Sequence, residues 1–441
     1  MAQTKSAAKK KPAEKKSRAV IVSGVRTPFQ KAFGAYTKMD SIALAGAAVQ
    51  GLLDKTGLDK KEVQAVVWGG VIFSPTAPNI ARELVLDLGL PVEADTYTVT
   101  RACASGLQAV TNAVAMIERG EADVVIAGGS DSTSNATVGL PNELIHAFGP
   151  LALGGKATPM DYLGAVKDLF PFSNVLPKRP QVAERSTGEV MGESAEKMAG
   201  INQISREDQD ELTYRSHQRA AAGFENGILS EEVVPVTTPD GEVVTKDALL
   251  RPGTTTEKLA TLKPVFKEGG TLTAGNSTAL TDGAACTLIM SEEKAKELGF
   301  TPLAAVRSWA YVGVDPRDQL LIGPAVAMPK ALERAGLELD DVDYVDIHEA
   351  FAAQVLSVLK VMETKEWAQE KLGRDKAVGK VDTDKLNVHG SSLALGHPFG
   401  ATGARMVTTM ANELHRSGKQ YALLGICAAG GIGAAAVLEK V

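Results

Sequence analysis

Residues 98–129 read TVTRACASGLQAVTNAVAMIERGEADVVIAGG, and residues 393–431 read LALGHPFGATGARMVTTMANELHRSGKQYALLGICAAGG. Each runs loop, amphipathic helix, glycine stop, buried strand and double glycine, with Gly106 against Gly403 and Gly120 against Gly418. A repeat of this kind constrains architecture more firmly than local propensity does. Two more pairs occur in the same order. LLDKTGLDKKEVQAVVWGG, from Leu52, matches ALERAGLELDDVDYVDIHE, from Ala331, with Gly57 against Gly336 and Val63 against Val342. DGAACTLIM, from Asp282, matches IGAAAVLEK, from Ile432.

Helices alternating with continuous apolar strands such as DVVIAGG and YALLGIC indicate an α/β sheet covered on both faces. The duplication predicts two pseudo-symmetric halves. The first spans residues 18–300 and is interrupted by an insertion at about 136–269, expected to form a third, irregular domain; the second spans 301–441. Within the insertion, residues 146–177 alternate apolar groups with Gly and Pro, whereas SREDQDELTYRSHQRAAAGFENG predicts a firm helix with Ser205 as N-cap and Gly227 past its end.

The composition excludes several classes. A net charge of -6 and pI near 5.7 give no basic face for nucleic acid. No apolar run of about 18 residues exists, and residues 1–17, Lys- and Ala-rich without an apolar core, read as a disordered basic tail rather than a signal. Three cysteines, with no CxxC and no His at metal-ligand spacing, suit free thiols in a reducing cytoplasm and predict no metal.

Cys103 follows the strand DTYTVT and opens a helix. The positive end of the helix dipole there should lower its pKa and favour a nucleophile. A small buried residue in a strand–helix joint is the alternative on this segment alone. In the repeat GATG takes the place of CASG, so pseudo-symmetry brings His397 toward Cys103. The glycines around His397 lack the GxGxxG spacing, and AAGGIG after Cys427 lacks the Lys-Ser/Thr of a P-loop. His348 closes the strand DYVDI, at the carboxyl end where open α/β sheets build sites. Cys286, in mid-strand, reads as core; His217 and His415 default to packing or surface, and His146 and His389 stay undecided.

The set CASG, HEAF, GHPFGATGAR and CAAGG resembles the thiolase family in every signature and in their order, with a particular likeness to the thiolase subunits of fatty-acid oxidation (trifunctional) complexes. The resemblance implies the thiolase fold, with mixed five-stranded sheets in an α-β-α-β-α arrangement. It implies cleavage of 3-ketoacyl-CoA by coenzyme A, with coenzyme A as substrate and no permanently bound cofactor. By motif, Cys103 would be the acylated nucleophile, His397 its base, Cys427 the second acid/base and His348 an oxyanion-hole group. Ala429 and Asn276 would line the oxyanion hole and pocket, while Thr278 and Arg251 would meet coenzyme A. A homodimer or tetramer is implied, with an enoyl-CoA hydratase/3-hydroxyacyl-CoA dehydrogenase partner and peripheral membrane contact through residues 146–177. The sequence departs from the family pattern at Thr100, Lys258, Ser391, Ser392 and Ala429. An acetoacetyl-CoA thiolase, a decarboxylating ketoacyl synthase and a non-catalytic lipid-binding or scaffold subunit are the rival readings.

Overall fold

The computed structural model describes residues 17–137, 141–155, 157–170 and 183–441; the tail expected at residues 1–17 lies outside these except for Ser17, as do residues 171–177 of the apolar stretch. The strands are β1 (Ala19–Arg26), β2 (Gln30–Lys31), β3 (Ala65–Gly69), β4 (Asp95–Val99), β5 (Val124–Ser132), β6 (Val236–Thr237), β7 (Val243–Val244), β8 (Thr281–Ser291), β9 (Ala304–Gly313), β10 (Tyr344–Ile347), β11 (Tyr421–Ala428) and β12 (Ile432–Lys440). The first half orders them β1-β8-β5-β3-β4, antiparallel across β1, β8 and β5 and parallel across β5, β3 and β4. The second half repeats this as β9-β12-β11-β10, with the same change of direction. At the place of a fifth strand a single parallel bridge remains, Val345 to Leu386. The hydrogen bonds Val345 N–H to Lys385 O and Asn387 N–H to Val345 O, 2.9 and 2.8 Å, stand where β3 pairs with β4. One register contact, Ile21 opposite Ala304, joins the halves edge to edge.

Alternation along the strands sorts the core into three slabs. Val66, Trp68, Ile126 and Leu288 face the helices Ser41–Thr56 and Ile80–Asp87. Their neighbours Val67, Val125, Ala127 and Ile289 face a central layer made by the helices Ser105–Glu118 and Thr402–Ser417. Leu424 and Ala436 cover that layer from the other side, whereas Leu423, Cys427 and Val437 pack on the outer helices Gly323–Ala335 and Ala352–Met362. The result is α-β-α-β-α. Gly57 and Gly336, matched in the repeat, both end their helices in the left-handed region, at φ 66° and 69°.

The two central helices touch where the repeat aligned Gly106 with Gly403. A Cβ on Gly106 would collide with the Gly400 carbonyl, and one on Gly403 with the backbone N of Leu107. Close approach therefore requires both glycines.

The insertion departs from expectation. Its apolar stretch forms two helices, Asn142–Leu153 and Pro159–Asp168, rather than short irregular pieces, and they leave Leu153, Met160 and Leu163 largely exposed. Its later part does not build a separate core. Ala195 and Met198 of helix Met191–Ile201 join the outer slab of the second half, and Ala220 packs on Ala394 and Leu395. The predicted helix spans Arg206–Glu225, with the Ser205 hydroxyl accepting the Asp208 N–H at 3.0 Å.

Candidate active site

Cys103 sits in a tight turn between β4 and the first central helix. Ala102 takes the left-handed conformation at φ 45°, a strained angle for a non-glycine residue. Ser105 holds the turn by donating to the Ala102 carbonyl and accepting the Arg101 N–H, at 2.6 and 2.8 Å. From the other half, the loop before helix Thr402–Ser417 brings His397, whose Nε2 lies 3.1 Å from the Cys103 sulfur. Duplication thus places the thiol and the imidazole at the facing N-termini of paired helices, as the repeat predicted.

His348 follows β10, held by its backbone N–H to Gly425 O at 2.8 Å on the adjacent strand. Its ring lies against that of His397 with centroids 4.0 Å apart. Cys427 is buried on β11, two residues before the turn Ala429–Gly431. The backbone N–H groups of Ala429 and of Cys103 itself both favour the charged form of the Cys103 sulfur. Gly430 and Gly431 take the left-handed angles of the turn, φ 82° and 66°, and Ala429 does not, so alanine fits where the family often has glycine.

The electrostatics reverse one expectation. Burial pushes the Cys103 thiol up to about 12, outweighing the downward pull of the two N–H groups; the helix terminus does not make a resting thiolate. Burial, aided by the Arg405 guanidinium, pushes His397 down to about 3 and His348 well below its usual range. The resting pair is neutral thiol and neutral imidazole, with a proton ready to move when sulfur attacks. Burial and the neighbouring Cys103 raise Cys427 well above an ordinary thiol. One donor atom each from Cys103, His348 and His397 lie within 4.8 Å of one another, a spacing able to grip a thiophilic cation.

The remaining expected residues fall differently. The amide of Asn276 accepts the Thr273 N–H at 2.7 Å and donates to Thr271 O and Asp210, so it braces its own loop and offers no free donor to an oxyanion. The Thr278 hydroxyl donates to the Ser392 carbonyl at 2.9 Å. Arg251 is exposed, and its backbone N–H donates to His217 Nδ1 at 3.3 Å. Lys258 bonds the Gly253 carbonyl at 2.6 Å. Cys286 is core, as read. His217 is buried, His389 pairs with Glu413 at 2.7 Å, and His146 and His415 are exposed.

Several supporting residues were not singled out as such in the sequence. Glu349 turns away from His348 to accept from Ser216, Asn387 and Leu393 N–H, and burial lifts it to about 7. Asp131 gathers the N–H groups of Val71, Ile72 and Gly400, tying the first half to the His397 loop. Glu184 of the insertion accepts the Gly430 N–H at 2.8 Å and so secures the turn carrying Ala429. Both serines of VHGSS are engaged: Ser391 with Arg405 and Asp346, Ser392 with His348. That departure from the family pattern was the one available signal.

A duplicated α/β scaffold presenting a cysteine, a base and converging backbone donors defines an acyltransferase that works through a cysteine thioester. The profiles of the thiolase N-terminal and C-terminal domains match residues 19–293 and 300–440. The chain belongs to the thiolase family. It is 44% identical over 427 residues to a 3-ketoacyl-CoA thiolase of Shewanella woodyi, and 46% over 428 residues to one of Alteromonas mediterranea, each alignment covering 96% of this chain and 97% of the relative. Among solved structures it resembles a Bacillus anthracis acetyl-CoA acetyltransferase (TM-score 0.81, 34% identity, 97% of this chain and 100% of that one). It also resembles human mitochondrial 3-ketoacyl-CoA thiolase (TM-score 0.80, 32% identity, 96% and 99%), for which a complex with CoA is known at 31% identity.

Proposed function

We propose that the chain is a 3-ketoacyl-CoA thiolase (acetyl-CoA C-acyltransferase) of fatty-acid β-oxidation, and the observation that carries this is the contact between Cys103 of one half and His397 of the other. The Cys103 sulfur attacks the C3 ketone as its proton passes to His397 Nε2. The carbonyl oxygen becomes an oxyanion, for which each preorganised donor is worth roughly 3 kcal/mol. When the C2–C3 bond breaks, its electron pair stays on C2 as the enolate of acetyl-CoA, and the Cys427 thiol protonates it. The thiol of a second coenzyme A gives its proton to Cys427 and attacks the Cys103 thioester; the shortened acyl-CoA leaves, and the expelled Cys103 thiolate takes its proton back from His397. Kinetics are ping-pong and the sequence runs in reverse as a Claisen condensation. Arg251 and Thr278 serve coenzyme A, which acts as substrate.

Thiolysis measured from acetoacetyl-CoA to long-chain 3-ketoacyl-CoA tests the reading. Activity extending to long chains supports it; activity confined to acetoacetyl-CoA favours the alternative, a short-chain acetyl-CoA C-acetyltransferase, to which the Bacillus anthracis neighbour points. The exposed apolar helices Asn142–Leu153 and Pro159–Asp168 support contact with a lipid surface or with a hydratase/dehydrogenase subunit. A cytoplasmic homodimer or tetramer completes the proposal.

A further inference from the structure

Each of the two adjacent imidazoles bonds a hydroxyl through Nδ1: His348 to Ser392 Oγ at 2.7 Å, His397 to Thr402 Oγ1 at 2.6 Å. A neutral imidazole has one N–H and one lone pair, so each hydroxyl decides what the far nitrogen presents. At His397 the answer follows from the sulfur. The 3.1 Å contact between the sulfur and His397 Nε2 holds one hydrogen, and the proposed attack requires that Nε2 receive it from the thiol. The N–H of His397 is then on Nδ1 and donates to Thr402.

His348 faces the opposite requirement. Its Nε2 is buried and meets no partner among the described residues. A lone pair there would stand beside the His397 ring and near the oxygen that becomes negative, unpaired and repulsive. If the Ser392 hydroxyl donates to Nδ1, Nε2 carries the hydrogen instead and becomes a donor toward that oxygen. The Ser392 hydroxyl has no other partner among the described residues, and its backbone is fixed by the Thr278 hydroxyl on its carbonyl.

We infer that Ser392 is a positioning residue that holds His348 as an Nε2–H donor, while Thr402 holds the adjacent His397 as an Nε2 acceptor, so that two touching histidines are kept in opposite tautomers. The inference rests on the proposed attack of Cys103 on a carbonyl beside His348. Neutron diffraction from deuterium-exchanged crystals should place deuterium on Nε2 of His348 and Nδ1 of His397. In solution, Ser392→Ala should lower kcat for thiolysis by on the order of tenfold with KM for coenzyme A nearly constant, and Ser392→Thr, which keeps the hydroxyl, should restore it. Deuterium on Nδ1 of His348, or a kcat for Ser392→Ala matching wild type, overturns the inference. Failure of wild-type Cys103 to gain an acyl group from acyl-CoA, read by mass, overturns instead the function beneath it.

Discussion

Cys103 at rest is a reluctant acid, and that sets how its chemistry should be probed. With the thiol pushed up to about 12, its thiolate fraction at neutral pH is below that of an ordinary cysteine. Alkylation by iodoacetamide should therefore rise by about tenfold per pH unit through pH 9–10 with no plateau there. A plateau near pH 7 would show a preformed thiolate–imidazolium pair. At neutral pH, His397→Ala should slow alkylation severalfold, because the neutral imidazole is the group placed to take the proton. Division of labour between the cysteines gives a second expectation: Cys103→Ser abolishes acyl-enzyme formation, whereas Cys427→Ala still acquires an acyl group from acyl-CoA and stalls in condensation. Equal loss of acylation in both variants would sink the assignment. At this scale the motifs named the groups that the fold brings together, but not their protonation. A helix terminus was legible; the desolvation that overrides it depends on what packs around residue 103 from nearly 300 positions away.

Among the elements, the glycine contact between the central helices is the most sensitive joint. Gly106→Ala or Gly403→Ala must force the helices apart, at about 1–3 kcal/mol, and should reduce kcat because Cys103 and His397 ride on opposite members of the pair. Gly46→Ala, in the outer helix Ser41–Thr56 with open space at its Cβ, should instead stabilise by about 0.5–1 kcal/mol. Thermal melts and thiolysis rates on the three variants separate these outcomes. The helix Arg206–Glu225 supplies a pH prediction. Burial, with the Arg251 charge adding to it, holds His217 down to about 4, so the unfolded chain takes up a proton below its ordinary 6.5 while the folded chain refuses it. Stability is lost as pH falls from 6.5 toward 4, and His217→Gln should flatten urea midpoints across that window. The helix Arg206–Glu225 was legible from its pattern and cap, and the glycine pair from alignment of the repeat with itself. The reduced fifth strand was not, since one bridge at Leu386 leaves no alternation to read.

For the whole molecule, self-similarity predicted two halves, because each repeat unit buries its apolar faces only by stacking on its partner, while the five layers came from the family resemblance. It misjudged the insertion. Ala195, Met198 and Ala220 look like the face of an independent domain until the second half is there to receive them. The apolar helices at 142–168 have no such receiver among the described residues. Replacing Leu153, Met160 and Leu163 together by Ser should leave the thermal midpoint and acetoacetyl-CoA thiolysis unchanged, while weakening flotation with anionic vesicles or raising KM for long-chain 3-ketoacyl-CoA. Parallel loss of stability and of both activities would make the pair ordinary core.

The 294 positions between Cys103 and His397 have a consequence in time. At a synthesis rate of about 5–20 residues per second, the sulfur exists for roughly 15–60 s before its base does. During that interval it is an ordinary thiol, open to any electrophile the growing chain encounters. Docking of the halves ends this exposure: the same burial that quiets the sulfur toward stray reagents supplies the one imidazole able to arm it, so the protein becomes selective at the moment it becomes complete.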